Sequence, residues 1–380
     1  MKPKKRVLVL FNDYRLSGGE KTIFESEIKH LSHDFKIDTL IFSNKLSISV
    51  MYSYFNIFSL IRLLKKIIIF KPHILYVNNT WFKASTSIFF LAKILNIKVV
   101  YKIHNYRLWC SSANFYRSNK ICTECKDGNL ESSYKYKCYK NSKLLTFLVN
   151  QHSKGTLKYL NKKNVVEILV LNSFQKKLLV NKGVESEKIK ISNNIVILDK
   201  KENNNKSENK YFLFLGRLSK DKGINELLDA WKLIKQDQFK LLIAGDGELK
   251  EEIVNKISKQ QSVDYIGIID RSDIFNTISD SYAIVLPSQW LEGQPTVLLE
   301  AIQLKTPVVL TNISFINDIK TQNLEVSEFN DVESLSLLIS KYMDNDFYNQ
   351  QKHEWEIIGS KLEGGDFTSI EKSLLRSFIL

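Results

Sequence analysis

Two carboxylates bracket a turn in the C-terminal third of the chain, in a pattern suited to holding a phosphate beside a set of hydroxyls. The apolar run Tyr282-Ala283-Ile284-Val285-Leu286-Pro287 reads as a strand. It leads into Glu292-Gly293-Gln294-Pro295-Thr296, and a helix opens at Val297-Leu298-Leu299-Glu300-Ala301. One acid therefore sits in the turn and the other just inside the helix. The helix start aims unpaired backbone N–H groups and a positive dipole end at one point, which suits a phosphate, while the carboxylates suit sugar or ribose hydroxyls. A nucleotide sugar carries both kinds of group.

A second cluster precedes it. The strand Tyr211–Leu215 ends in Gly216-Arg217-Leu218, and Lys222-Gly223 opens the next helix. Gly216 permits a close backbone turn, and Arg217 and Lys222 put two cations at the carboxyl end of a strand. Arginine as a fork and lysine as a point charge can together neutralise a diphosphate. An Arg and a Lys five residues apart more often form a solvated turn, so it is their company with Glu292 and Glu300 that gives the pair weight.

These residues must be held by a sheet. The N-terminal half alternates strands (Arg6–Phe11, Lys36–Phe42, Ile74–Val77, Val99–Ile103, Val165–Leu171, Ile189–Ser192) with helical patterns at Lys21–Leu31, Tyr54–Phe70, Ser85–Leu95 and Gln175–Lys182. After a polar, Asn-rich stretch at 199–210 the alternation resumes through strands at 211–215, 240–244, 263–266, 283–286 and 307–310. Such alternation predicts an α/β fold of two doubly wound, Rossmann-like domains facing across a cleft, with ligands at the carboxyl ends of the strands. The expected division is an N-terminal domain over 1–198 with a Cys-bearing insertion at 106–145, a linker at 199–210, and a C-terminal domain over 211–360. The segment 361–380 is read as helical and could pack back on the N-terminal domain.

The motifs resemble glycosyltransferase family 4, whose members are retaining enzymes of the two-Rossmann-domain GT-B architecture. The resemblance rests on Gly216-Arg217-Leu218 with Lys222-Gly223, on Ala244-Gly245-Asp246-Gly247 after a strand, and on Glu292 and Glu300, in that order and spacing. It covers most of residues 205–312 and continues through Gly18-Gly19-Glu20, His104-Asn105-Tyr106 and Lys188-Ile189 to Asn194. It implies that Glu300 contacts the donor ribose and Glu292 the sugar ring. The backbone of Gly293, Gln294, Pro295 and Thr296 would cradle sugar and phosphate. Arg217 and Lys222 would hold the diphosphate, with Gly18 and Gly19 approaching from the other domain. His104 corresponds to the family's active-site histidine; by itself it also reads as a strand-end histidine satisfied by backbone. Three positions depart from the pattern: Gln294 where an aromatic residue is common, Asn105 in place of an aspartate, and Ile195 in place of a glycine.

The implied activity is transfer of a sugar, of the hexosyltransferase type and with retention, from a nucleotide-diphosphate sugar to a saccharide or lipid-linked saccharide acceptor held by the N-terminal domain, in bacterial surface polysaccharide assembly. No carboxylate of the basic half stands out as a general base, so the leaving phosphate would take the acceptor's proton, with Arg217 and Lys222 stabilising its charge. No Asp-x-Asp metal motif lies near the donor turn, and no cofactor is expected for catalysis. A sugar-nucleotide epimerase on the same architecture is the alternative. From a different class, a basic nucleic-acid-binding protein would leave the Glu292–Glu300 turn without a role, and nucleic acid is not an expected partner. A dinucleotide oxidoreductase is disfavoured because Ser17-Gly18-Gly19 lacks the Gly-x-Gly-x-x-Gly fingerprint.

Charge adds a further expectation. The 380 residues carry a net charge of +14, distributed as 34 Lys/Arg against 12 Asp/Glu over 1–196 and 21 against 29 over the remainder. No acidic residue occurs between Asp38 and Glu124. A half this basic would be drawn to an anionic membrane surface, and the helix Tyr54–Phe70, with Arg62, Lys65 and Lys66 among bulky apolar residues, could lean on one. It could equally be a crossover helix packing its apolar side on the sheet. Neither a signal peptide nor a membrane span is read from the sequence, so a cytoplasmic protein, peripheral on the inner face of the cytoplasmic membrane, is expected. The four cysteines, Cys110, Cys122, Cys125 and Cys138, fall in one Lys-, Tyr- and Ser-rich insertion. A Cys-x2-Cys flanked by single cysteines could wrap a structural zinc or remain as free thiols, and reducing conditions argue against disulfides.

Overall fold

The computed structural model describes all residues except 1–3, 14–18, 45–47, 198–210, 259, 365–369 and 380. The chain divides into two compact units. The first comprises Met1–Phe115, Cys122–Val196 and Phe367–Leu380, and the second Tyr116–Ile121 and Ile197–Asp366. The expected linker at 199–210 lies outside the described residues, as does Gly18.

The first unit holds β1 (Arg6–Asp13), α1 (Gly19–Leu31), β2 (Lys36–Ser43), α2 (Ile57–Phe70), β3 (Ile74–Asn78), α3 (Ser87–Ile94) and β4 (Lys98–Lys102). The small hairpin of β5 (Tyr116–Arg117) and β6 (Lys120–Ile121) follows and groups with the second unit. The first unit then continues through α4 (Glu131–Lys135), α5 (Lys143–Leu160), β7 (Val165–Val170), α6 (Ser173–Val180) and β8 (Ile189–Ile191). Its six strands run in the order β2-β1-β3-β4-β7-β8, every pair parallel. Parallel strands covered by helices on both faces read as continuous apolar runs, and β3 is buried from end to end.

The second unit repeats the design with β9 (Tyr211–Leu215), α7 (Ile224–Leu233), β10 (Lys240–Ala244), α8 (Lys250–Ile257), β11 (Val263–Gly267), α9 (Arg271–Asp280), β12 (Ala283–Leu286), α10 (Thr296–Gln303) and β13 (Val308–Leu310). Its sheet order is β11-β10-β9-β12-β13, again parallel throughout. Three further helices close it: α11 (Ile316–Ile319), α12 (Val332–Tyr342) and α13 (Asn345–Gly364). Phe212, Phe214, Leu241, Ile243 and Val285 of the sheet pack with Leu227 and Trp231 of α7 in one core. The last helix, α14 (Ile370–Ile379), belongs to the first unit, where Leu374 joins the core of Val7, Val9, Tyr76 and Val100.

Strand order locates the site-forming crevices. In a doubly wound sheet the ligand binds where successive crossovers leave a strand in opposite directions. That point falls between β1 and β3 in the first unit and between β9 and β12 in the second. The chain leaving β9 is Gly216-Arg217, and the chain leaving β12 runs on to Glu292.

Two helices differ from the expected ones. The helix expected at Tyr54–Phe70 begins at Ile57, because Asn56 caps it: its Oδ1 accepts from the N–H groups of Phe58 at 3.1 Å and Ser59 at 3.3 Å. The helix α5 has no counterpart among the expected ones; its buried face mixes Val149 and Leu160 with the polar Thr146, Asn150, His152, Ser153 and Thr156.

Candidate functional sites in the two domains

In the second unit, the loops after β9, β10 and β12 are locked by backbone contacts that only glycine allows. Gly223 has φ +73°, and a Cβ there would stand 1.8 Å from the Pro287 carbonyl oxygen. A Cβ on Gly245, at φ +133°, would stand 1.9 Å from the carbonyl oxygen of Gly216, and one on Gly247 would stand 2.3 Å from that of Leu218. Hydrogen bonds tie the same loops: Leu218 N–H donates to Asp246 O at 2.9 Å, and Gln289 N–H to Asp221 O at 2.9 Å. Gly223, Gly245 and Gly247 are thus explained by close packing of backbone on backbone, whereas a Cβ on Gly216 would meet only the Phe214 ring, at 3.8 Å.

This packing sets the charges. Lys222 Nζ donates to Glu292 Oε1 at 2.6 Å, and Ser288 Oγ donates to the same oxygen at 2.7 Å. Ser314 Oγ donates to the Glu292 carbonyl at 2.6 Å, fixing the turn from the far side. Lys222 also lies over the Trp290 ring, 5.3 Å from its centroid. Arg217 is held more loosely: Nη2 meets Asp221 Oδ2 at 3.2 Å and its side chain is 56% exposed. The arginine of this pair is exposed but Asp221 is not, and Arg217 Nε also donates to Ser219 Oγ at 3.2 Å, so a diphosphate would compete with both partners. Lys222 would have to exchange Glu292 for phosphate, an exchange the sequence did not reveal.

Glu300, in the second turn of α10, is buried. Burial pushes its carboxyl up to about 7, the Arg271 charge offsetting part of that shift. Pro295 precedes α10 with extended backbone, and the first intrahelical bond runs from Leu299 N–H to Pro295 O. The first-turn N–H groups from Thr296 onward are thus left for a ligand. Glu292, Gly293, Gln294, Pro295, Thr296, Glu300, Gly216, Arg217 and Lys222 all belong to this one unit.

The first unit gathers a different set at its own switch point. His104 follows β4, and its Nε2 lies 2.6 Å from Asn78 Oδ1 at the end of β3. An amide oxygen only accepts, so Nε2 carries the proton and Nδ1 keeps a lone pair. Desolvation first, then the Lys102 charge, hold the ring well below its ordinary pKa. Glu20, in the first turn of α1 beside Gly19, accepts from Asn79 Nδ2 at 3.2 Å and Asn105 Nδ2 at 3.0 Å. Burial raises its pKa against the pull of those two amides and of Arg107. A small cavity beside these groups is lined by Asn79, Trp81, His104, Asn105, Arg107 and His152. Buried Asn79 Oδ1 has no hydrogen-bond partner among the described residues. Glu20 is the buried carboxylate of this site to which the sequence alone gave no role. Its signal was its place directly after the glycine pair that follows the first strand.

Beneath the site, Lys102 Nζ contacts Glu27 Oε1 at 2.5 Å and Tyr76 OH donates to Glu27 Oε2 at 2.8 Å, all three side chains being fully buried. None of the four cysteines is in a disulfide. Among the described residues no group of three or more His, Cys, Asp or Glu is arranged to hold a metal ion. Burial first, then the neighbouring thiols of Cys110, Cys138 and Cys122, push the Cys125 thiol up to about 11.

Residues 197–360 match the family model for glycosyl transferases, group 1. Among curated relatives, an uncharacterized glycosyltransferase of Methanocaldococcus jannaschii is 30% identical over 164 residues, 38% of this chain and 40% of that protein. The capsular polysaccharide biosynthesis glycosyltransferase CapM of Staphylococcus aureus is 30% identical over 159 residues, 41% and 39% of the two chains. This chain thus spans about 40% of each of these relatives. Among solved structures, Anabaena HepE in complex with UDP and glucose gives a TM-score of 0.69 at 13% identity, over 98% of this chain and 99% of that one. That likeness is one of fold: two Rossmann-like domains of the GT-B class.

The His104 assignment has a direct check. In a spectrum of ring-labelled protein, with the signal assigned through His104→Asn, His104 shows no titration between pH 6 and 8 and keeps the Nε2–H tautomer. A transition near the ordinary histidine pKa of about 6.5 would contradict the placement.

Proposed function

We propose that the protein is a retaining glycosyltransferase that binds a nucleotide-diphosphate sugar on its C-terminal domain and transfers the sugar to a saccharide or lipid-linked saccharide held by its N-terminal domain. The observation that carries this reading is the cluster at the β9–β12 switch point, where Lys222 and Glu292 pair beside Arg217, on the same domain as the buried Glu300. The match of residues 197–360 to group 1 glycosyl transferases supports it, as does the UDP-bound state of a structural neighbour. The capsular role of CapM supports a place in surface polysaccharide assembly.

The roles follow from chemistry. Glu300, as a carboxylate, accepts hydrogen bonds from the ribose hydroxyls, and the N–H groups at the start of α10 face phosphate. Arg217 and Lys222 draw the pyrophosphate and stabilise the charge that develops as the sugar leaves. Once Lys222 turns to phosphate, Glu292 is released to bind sugar hydroxyls. In a retaining transfer the acceptor arrives from the face the diphosphate departs, so the departing phosphate can take the acceptor's proton. His104, neutral and with a free Nδ1 lone pair, can accept a hydroxyl hydrogen bond, and Glu20 holds the amides of Asn79 and Asn105 around the neighbouring cavity. A structural zinc has no part in this proposal.

Arg217→Ala is expected to lower turnover by on the order of 10²–10³ with labelled UDP- and GDP-sugars and membrane extract as acceptor source. Near-normal turnover would remove the arginine from the reaction, and a free sugar nucleotide altered without any acceptor would favour an epimerase.

Donor affinity should also depend on pH. Below its pKa of about 7 Glu300 is neutral and cannot accept from both ribose hydroxyls; above it the carboxylate is fully present. Calorimetric affinity is therefore expected to rise about tenfold from pH 6 to pH 8 and then level off. Glu300→Gln should bind weakly and lose that slope; an unchanged slope in the variant would exclude Glu300 as its source.

A further inference from the structure

Helix α2 turns its apolar side outward. Of its residues only Ser59, Leu60 and Leu63 are buried. Ile57, Ile61, Leu64 and Ile68 recur at helical spacing along one stripe, each more than a third exposed, and beside them Phe58 is 69% and Ile69 81% exposed. The patch continues onto its neighbours: Met51 in the turn Ile48–Tyr52 is 59% exposed, and Ile94 on α3, which packs against α2, is 61% exposed. An apolar surface of this continuity is rare on a soluble protein that meets only water.

Its fringe has one sign. Lys65, Lys71 and Lys93 are exposed. Arg62 is braced by the Ile41 carbonyl at 3.1 Å and by the Phe42 ring. The sequence offers no acid between Asp38 and Glu124, and Asp38 itself is neutralised by Lys66 at 2.7 Å. A protein partner would have to be matched to apolar groups and cations alike. A bilayer containing anionic phospholipid presents both complements in the right order, with headgroups for the lysines and the acyl boundary for Phe58, Ile68 and Ile69.

We propose that this face of the N-terminal domain, formed by α2, the turn Ile48–Tyr52 and the end of α3, docks in the plane of an anionic phospholipid bilayer. The helix lies on the membrane and does not cross it. It has 14 residues where a span needs about 20, and no helix among the described residues is long and apolar enough to span. The inference stands on the patch alone and does not need the donor reading.

The test is flotation of the full-length protein with vesicles of phosphatidylcholine alone and of equal parts phosphatidylcholine and phosphatidylglycerol, at low and high salt. The wild type is expected to float with the anionic vesicles, much less with the neutral ones, and less as salt rises. Phe58→Ser with Ile69→Ser changes only exposed side chains and is expected to reduce binding at least tenfold with an unchanged melting curve. Lys65→Ala should reduce it about fivefold, while Lys232→Ala, exposed on the other domain, should leave it unchanged. Failure of the wild type to bind anionic vesicles at low salt would overturn the proposal, as would full binding by the double serine variant. Self-association of the wild type that Ile69→Ser abolishes, without vesicle binding, would assign the patch to a second copy and overturn it too. Calorimetric donor binding by the same variants is expected to be unaffected, so a failure here is distinguishable from a failure of the donor site.

Discussion

The pairing of Lys222 with Glu292 is the interaction on which the C-terminal site depends. The two residues leave neighbouring strands of the sheet, β9 and β12, and their side chains are 24% and 6% exposed. A pair so sheltered gains little net stability, because desolvation of the charges offsets their attraction, yet removing one partner strands the other at a cost of about 3–5 kcal/mol. Its value lies in position. Ser288 and Ser314 fix the acid, the carbonyl of Asp221 receives Gln289 N–H, and Gly223 lets the backbone pass against Pro287. Cation and carboxylate are therefore in place without a ligand, and in the proposed reading a pyrophosphate would exchange one anionic partner of Lys222 for another instead of ordering a loose loop.

The N-terminal domain solves a different electrostatic problem. It is strongly basic, yet at its switch point it keeps its polar groups nearly neutral. Glu27 balances Lys102, Glu20 is wrapped by two side-chain amides, and His104 is held uncharged. Its excess positive charge lies instead on the surface, where α2 and its neighbours combine exposed lysines with exposed isoleucine and phenylalanine. Charge thus divides the domain's surface from its crevice: the surface suits an anionic sheet of headgroups, the crevice a ligand rich in hydroxyls.

Much of this was legible in the sequence. Apolar runs of strand length alternating with helical patterns marked the strands of both sheets, because parallel strands buried on two faces leave a strong signal. The candidate-site residues of the C-terminal unit could be named because glycines, cations and acids stand at strand ends in that half. Three things were not. The helix α5 buries threonine, asparagine and serine beside Val149 and Leu160, which dilutes its apolar signal. The outward apolar face of α2 has the same periodicity as a core-facing one, and sequence alone could not choose between them. Glu20 and the Lys222–Glu292 pair depend on contacts between residues far apart in the chain, which only the folded sheet brings together.

The most direct measurement is a crystal structure of the protein soaked with a panel of nucleotide sugars. The account predicts a bound molecule with its ribose hydroxyls on Glu300, its pyrophosphate between Arg217, Lys222 and the start of α10, and Lys222 drawn off Glu292. A nucleotide sugar bound elsewhere on the chain, or one seated there while Lys222 stays on Glu292 and Glu300 touches nothing of the ribose, would contradict it.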